Sequence, residues 1–143
     1  VCDVAISIEN IKLALTEAKL GLIPATISPY VISKVGSSNG IDLFTSARTF
    51  YPSEAKNIGL IKSFCNEESI DNIINEEAHS ILINGPSAVT ASKNLVRNLS
   101  SKIDENTIKF TVEALADVWE NPESIEGINA FFEKRKPNWI MEK

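Results

Sequence analysis

The sequence is poor in the residues that build metal, redox and disulfide sites. It holds one histidine and two cysteines in 143 residues. Cys2 and Cys65 form neither a CxxC pair nor a metal-ligand spacing, and both lie in apolar segments, which predicts reduced thiols in a core. The histidine, His79, falls on the polar side of its predicted helix, facing solvent. We therefore expect no metal site and a reducing, intracellular compartment.

Positive charge, long apolar runs and glycine-rich loops are also scarce. The chain has fourteen basic and nineteen acidic residues. The resulting formal net charge of −5 argues against a nucleic-acid partner. No apolar run approaches the ~20 residues that a membrane-spanning helix needs. There is no signal-peptide pattern, no Gly-x-Ser-x-Gly motif and no phosphate-binding glycine loop. At 43% hydrophobic and 23% charged residues, the composition is that of a globular chain.

The apolar pattern separates a strand-rich opening, residues 1–65, from a helical remainder, residues 66–143. Alternating or continuous apolar runs predict three strands in the opening, over residues 4–8, 11–15 and 60–64. Strands this few form no complete sheet of their own, so we expect them to pack on strands supplied from upstream. The sequence also opens at valine, directly in a predicted strand. Both features predict that it is the back portion of a longer protein.

Helix signals cover most of the other segments. A helix is predicted to begin between Thr26 and Ser28, either of which could cap it, and to stop at Gly36. A loop over residues 37–40 and short helices over 41–46 and 53–58 follow. Four amphipathic helices fill residues 66–143, with N-terminal signals at Asn66, Gly85-Pro86, Asp104 and Asn121-Pro122 and a final stop at Pro137. Their predicted buried lines are Ile70, Ile73, Ile74, Ala78, Ile81 and Leu82, then Ala88, Ala91, Leu95 and Leu99, then Ile108, Val112, Leu115 and Trp119.

The stretch Leu13–Val31 is the most informative part of the chain for chemistry. A single carboxylate, Glu17, follows the alternating run and precedes a helix N-terminus, where backbone donors are free. Its neighbours are apolar, so the carboxylate is expected to be partly desolvated, which suits it to donate or accept a proton near neutral pH. The alternative interpretation is a solvated acid at a strand end.

Three segments carry a family resemblance, in the family's order and over nearly the whole chain. They are Cys2-Asp3 leading to T-E-A-K-L-G-L-I-P, then S-E-A-K-N-I-G-L-I from Ser53, and F-F-E-K-R-K-P-N-W from Phe131. The chain thereby resembles the C-terminal portion of the enoyl-CoA hydratase/isomerase (crotonase) superfamily. The resemblance implies an α/β fold, the end of a crotonase-like ββα spiral over residues 1–65. A helical trimerisation region over residues 66–143 would follow it.

The resemblance also implies a reaction, the syn addition of water to a 2-enoyl-CoA thioester in fatty acid metabolism. Glu17 would be the general acid/base, while a second glutamate and the oxyanion-hole N–H groups would lie upstream, so residues 1–143 alone are expected to be inactive. No cofactor is implied beyond the coenzyme A of the substrate. Lys134 matches the position that contacts the phosphates of coenzyme A. The substrate-binding residues would be Leu22, Ile23, Pro24, Ala25 and Tyr30.

The implied assembly is a homotrimer or hexamer, located in the cytoplasm or, in a eukaryote, in the mitochondrial matrix. The segment Pro24–Ile27 departs from the family's usual P-G-x-G-G. The run A-T-I-S-P-Y, Ala25–Tyr30, is similar to members that hydrate branched glutaconyl-type thioesters, such as methylglutaconyl-CoA hydratase. Enoyl-CoA isomerase, a polyketide-branching dehydratase and a non-catalytic oligomerisation fragment remain alternatives. The basic cluster Lys134–Lys136 could instead complement the negative end of the last helix.

Overall fold

The structure, a computed structural model, describes residues 2–100 and 103–140. In these ranges it contains two strands, β1 (Ile6–Ile8) and β2 (Ser63–Cys65), and 3₁₀ turns at Glu17–Leu20 and Glu67–Ser69. The α-helices are α1 (Ser28–Ser46), α2 (Pro52–Asn57), α3 (Ile70–Leu82), α4 (Pro86–Leu99), α5 (Glu105–Trp119) and α6 (Pro122–Phe132). None of the helices in these ranges combines the length and apolar character needed to cross a membrane.

The chain forms two compact units, each built from two separate stretches of sequence. The first contains residues 1–12 and 50–103, and the second contains residues 13–49 and 104–143. The strands, α2, α3 and α4 belong to the first unit. The Glu17–Leu20 turn, α1, α5 and α6 belong to the second. The predicted division at residue 65 separates two consecutive stretches of sequence, 1–65 and 66–143. It stays a prediction.

In the first unit the two strands pair in parallel, with Ile6 opposite Ser63 and Ile8 opposite Cys65. Helix α2 contacts β2 and α3 contacts β1. Strand β1 lies inside its predicted run, residues 4–8, whereas β2 overlaps only the end of its predicted run, residues 60–64, and extends to Cys65. Cys65 is buried, as expected, but the prediction of a core position for Cys2 is wrong, because Cys2 is exposed. Both thiols are free.

The predicted strand over residues 11–15 is wrong. Within this run Leu13 alone is a bridge residue, and the backbone on either side of it forms no ladder. The exposure still alternates, with Ile11 and Leu15 half-buried and Lys12 exposed. Period-2 exposure requires only an extended backbone, whereas a strand also needs a neighbour to accept its hydrogen bonds.

Helix α1 begins at Ser28, within the predicted window, but neither predicted cap is used. Ile27 occupies the N-cap, and the Ser28 hydroxyl donates back to the Ala25 carbonyl oxygen at 2.9 Å. Gly36, at φ 75°, interrupts the helix as expected. The predicted loop after it is wrong, because helical structure resumes at once. One left-handed residue suffices for the break, and the Asn39 side-chain amide donates to the Val35 carbonyl oxygen across it at 2.8 Å.

The N-caps predicted for the later helices are confirmed. The side-chain oxygens of Asn66, Asp104 and Asn121 each accept a backbone N–H from the following turn. The hydrogen bonds from the Thr107 backbone and hydroxyl hold the pKa of Asp104 below its usual value. The last helix, however, ends at Phe132 and not at Pro137.

The predicted buried lines of α4 and α5 are largely exposed. Leu99 is 80% exposed, Leu95 61%, Val112 62% and Trp119 56%, and neither helix buries any residue fully. On α3, Ile81 and Leu82 are likewise exposed. Hydrophobic periodicity identifies which face of a helix is apolar, but it does not say what covers that face. His79 is exposed, as predicted.

Candidate functional site

Glu17 opens a single 3₁₀ turn in the second unit, and it does not stand at a strand end as predicted. The Glu17 carbonyl oxygen accepts the Leu22 N–H at 3.0 Å, and the Ala18 carbonyl oxygen accepts the Gly21 N–H at 3.2 Å. Gly21 closes the turn with φ 69°, a left-handed conformation that glycine adopts without a Cβ penalty. The L-G pair of the motif, Leu20-Gly21, therefore ends the turn.

The Glu17 side chain is half-buried, and its Oε2 atom is fully enclosed. Among the described residues this oxygen has no hydrogen-bond partner. Enclosing a carboxylate oxygen without a partner is costly, and buried polar groups in proteins are nearly always hydrogen-bonded. The carboxylate therefore has unused hydrogen-bonding capacity at an enclosed position, as an acid–base group needs.

An apolar pocket of about 380 Å³ adjoins this turn within the same unit. Its lining comes from the turn and the segment after it, and from α1: Ala18, Leu22, Ile23, Pro24, Ala25, Ser28, Ile32, Phe44 and Thr45. Four of the five predicted substrate-binding residues thus lie together in one wall. Tyr30, the fifth, is not among the lining residues and is 38% exposed.

The α1 side of this pocket was not foreseen from the sequence. Ser28 and Ile32 are four residues apart on one helix face, a spacing that could have linked them. Phe44 and Thr45 lie beyond the break at Gly36, so no helical periodicity connects them to Ser28. The Ala25 N–H donates to the Ile23 carbonyl oxygen at 2.9 Å.

The basic cluster lies just after α6, where Lys134 adopts a left-handed conformation with φ 53°. The Lys134 N–H donates to the Phe131 carbonyl oxygen at 3.2 Å, and the Arg135 N–H donates to the Ala130 carbonyl oxygen at 3.0 Å. These two bonds form a Schellman motif, which satisfies the last carbonyls of the helix. This position of the motif is usually occupied by glycine, so the backbone of Lys134 is strained there.

Arg135 is committed to carboxylates of its own unit. Its guanidinium binds Glu126 with two hydrogen bonds, of 2.6 and 2.8 Å, and Glu133 with one of 2.5 Å. These bonds raise the pKa of Arg135. The Arg135 bonds, with the Asn138 N–H, lower the pKa of Glu126 from its usual 4.5 to about 2. Lys134 is exposed, and none of the ion pairs found among residues 2–100 and 103–140 includes it.

The part of the chain that the structure describes contains no group of three or more His, Cys, Asp or Glu residues arranged to hold a metal ion.

Comparison with known proteins gives a consistent result over almost the whole chain. A family model described as enoyl-CoA hydratase/isomerase matches residues 1–142. A protein of Thermus thermophilus is 31% identical over 140 residues, which cover 96% of this chain and 54% of that relative. The short-chain-enoyl-CoA hydratase of Clostridium acetobutylicum is 29% identical, covering 94% of this chain and 52% of its own length.

Among solved structures, an enoyl-CoA hydratase from Mycobacterium avium superposes with a TM-score of 0.83 at 27% identity. The match covers 97% of this chain and 55% of that structure. The short strands and helices described above therefore form part of that α/β fold, as expected from the resemblance. The chain spans about half the length of the curated relatives it matches.

Proposed function

Because the chain belongs to the enoyl-CoA hydratase/isomerase family, we propose that its protein adds water across the double bond of a 2-enoyl-CoA thioester. In this proposal Glu17 is the general acid/base. The observation that carries it is the enclosed Glu17 Oε2, which has no hydrogen-bond partner among the described residues. A carboxyl group with an enclosed, unpartnered oxygen is placed to exchange a proton with a bound substrate.

The proposed step breaks the carbon–carbon π bond and forms one C–O and one C–H bond. The oxygen of water adds to the β-carbon of the acyl group, and Glu17 delivers a proton to the α-carbon on the same face. A second carboxylate, which the family resemblance assigns to a position before Val1, takes the proton that the water loses. Donors to the thioester oxygen, assigned upstream by the same resemblance, stabilise the enolate that develops.

The pocket beside the turn is proposed to hold the acyl group. Leu22, Ile23, Pro24 and Ala25 line it, and none of the described residues in its wall is charged. Such a lining favours an uncharged acyl chain, because a carboxylate buried there would have no cation to pair with. The glutaconyl-type substrate that the run Ala25–Tyr30 predicts would require a cation from outside this wall.

Lys134 is proposed to contact the phosphates of coenzyme A. The exposure of its side chain and the commitment of Arg135 to Glu126 and Glu133 support this assignment. The exposed apolar side chains on one face of α4 and of α5 support assembly of the protein as a homotrimer or hexamer, since an apolar helix face is normally covered by a neighbour.

The test is Glu17→Gln in the full-length polypeptide, assayed by the loss of the conjugated thioester absorbance of a four-carbon 2-enoyl-CoA. The amide keeps the size of the side chain but cannot transfer the proton, so kcat should fall by about 10²–10⁴-fold. Glu76→Gln makes the same charge change at an exposed position on α3 and should leave kcat unchanged.

A kcat for Glu17→Gln within about threefold of the unmutated protein would remove Glu17 from the reaction. The same assay with a 3-enoyl-CoA tests the isomerase alternative, which the family description also covers. Double-bond migration without net hydration would favour it. A panel that includes glutaconyl-type thioesters decides between the charged and uncharged acyl groups.

A further inference from the structure

The turn that carries Glu17 contacts α6 through backbone atoms, with almost no side chain between them. A Cβ atom placed on Gly127 would lie 2.4 Å from the Leu20 carbonyl oxygen. One placed on Gly21 would lie 2.7 Å from the Glu123 carbonyl oxygen. Both distances are shorter than real Cβ contacts, so only glycine permits this approach. We call this region, Leu20–Gly21 against Glu123–Gly127, the turn–helix contact.

A hydroxyl group ties the two elements together at the same place. Ser124 is fully buried, and its Oγ donates toward the Gly21 carbonyl oxygen at 2.7 Å and the Val118 carbonyl oxygen at 2.5 Å. A hydroxyl has a single proton, so Ser124 shares it between the end of the Glu17 turn and the end of α5. Its hydrogen bond to Gly21 spans 103 residues of sequence.

The turn itself is too short to fix the position of Glu17. It is one 3₁₀ turn of four residues, Glu17–Leu20, and such turns have poor hydrogen-bond geometry. Its closing bonds run from the Gly21 and Leu22 N–H groups to the Ala18 and Glu17 carbonyl oxygens. Any displacement of Gly21 is therefore passed directly to the backbone of Glu17.

We propose that Gly127 and Ser124 are positioning residues, which set the location of the Glu17 carboxylate through the turn–helix contact. The inference rests on the proposed acid–base role of Glu17. An alanine at position 127 would need about 1 Å more room to reach an ordinary contact with Leu20. A displacement of about 1 Å between reacting groups can cost about 100-fold in rate.

The experiment is a double-mutant cycle in the full-length polypeptide, combining Gly127→Ala with Glu17→Gln and measuring kcat and KM for a 2-enoyl-CoA. If Gly127 acts through Glu17, Gly127→Ala lowers kcat by about 100-fold with KM within about threefold. In the Glu17→Gln background the same change lowers the residual kcat by less than about threefold. Gly85→Ala is the matched control and should leave kcat unchanged, because a Cβ there has its nearest neighbour at 3.9 Å and alanine adopts its φ of −62° without strain.

The outcomes separate the two proposals. If Glu17→Gln lowers kcat while Gly127→Ala leaves it unchanged, or lowers it equally in both backgrounds, the positioning role is overturned and the function stands. If Glu17→Gln does not lower kcat, both fail. Should Gly127→Ala not yield folded protein, Ser124→Ala takes its place. It should lower kcat about fivefold in the unmutated background only, and an equal or absent effect overturns the inference.

Discussion

The left-handed conformation of Lys134 allows the strain in one residue to be measured separately from its proposed role. An L-residue with a side chain at such a φ costs about 1–2 kcal/mol relative to glycine. Replacing the lysine by glycine also makes the unfolded chain more flexible, which destabilises the folded state by about 0.5–1 kcal/mol and offsets part of the relief of strain. Lys134→Gly is therefore expected to stabilise the protein by about 0.5–1 kcal/mol, which corresponds to a rise in Tm of about 1–4 °C.

Lys136→Gly provides the comparison, because Lys136 is not among the residues with positive φ. It removes the same side chain two residues away with no strain to relieve, so it should lower the Tm by a similar amount. The difference in Tm between the two variants measures the left-handed strain directly. Differential scanning calorimetry of the full-length polypeptide is the assay, at matched protein concentration.

The same variants test the binding role without interference from stability. If Lys134 contacts the phosphates of coenzyme A, both Lys134→Gly and Lys134→Ala should raise KM for the thioester by about tenfold, with kcat little changed. A higher KM in a variant with a higher Tm cannot come from unfolding. Equal changes in Tm for Lys134→Gly and Lys136→Gly would refute the strain argument, and an unchanged KM would refute the phosphate contact.

Three further predictions follow from the pH response, the exposed helices and the pocket. The folded-state pKa of Glu126 is depressed to about 2, so its contribution to stability is present above pH 4.5 and is lost as pH falls toward 2. In Glu126→Gln the Tm should fall less over that window than in the control Glu113→Gln, and parallel Tm curves would contradict this. Leu99→Glu should reduce the mass measured by light scattering in solution if α4 lies at a subunit interface, whereas an unchanged mass excludes that face. Ala25→Leu should fill part of the 380 Å³ pocket and lower kcat/KM for longer acyl chains more than for four-carbon ones, and an equal loss for all chain lengths would remove the pocket as the acyl site.

The caps of the later helices and the helix break were predicted correctly, because they depend on residues close together in the sequence. The N-caps at Asn66, Asp104 and Asn121 depend only on the next turn of the chain, and all three form as predicted. The break at Gly36 is right for the same reason. The loop predicted after it is wrong because an interrupted helix and a helix that ends share the same glycine signal.

Features that depend on distant residues could not be read from the pattern. The run Ile11–Leu15 has the alternation of a strand, but no ladder forms along it. The Glu17 carboxylate could be singled out from its apolar neighbours and the family motif. The enclosure of its Oε2 atom and the turn–helix contact with Gly127 could not be predicted from the sequence. Nothing in the local sequence links residues more than 100 positions apart.

The division of each compact unit into two sequence stretches bears on how the chain acquires its structure during synthesis. Strands β1 and β2 are separated by the whole of the intervening residues 9–62, and the Glu17 turn meets α6 only when residues 122–132 exist. Ribosomes add about 5–20 residues per second, so several seconds pass between the synthesis of the turn and the synthesis of α6. A polypeptide that stops before residue 120 lacks α6, so the Glu17 turn has neither the backbone contact at Gly127 nor the hydrogen bond from Ser124.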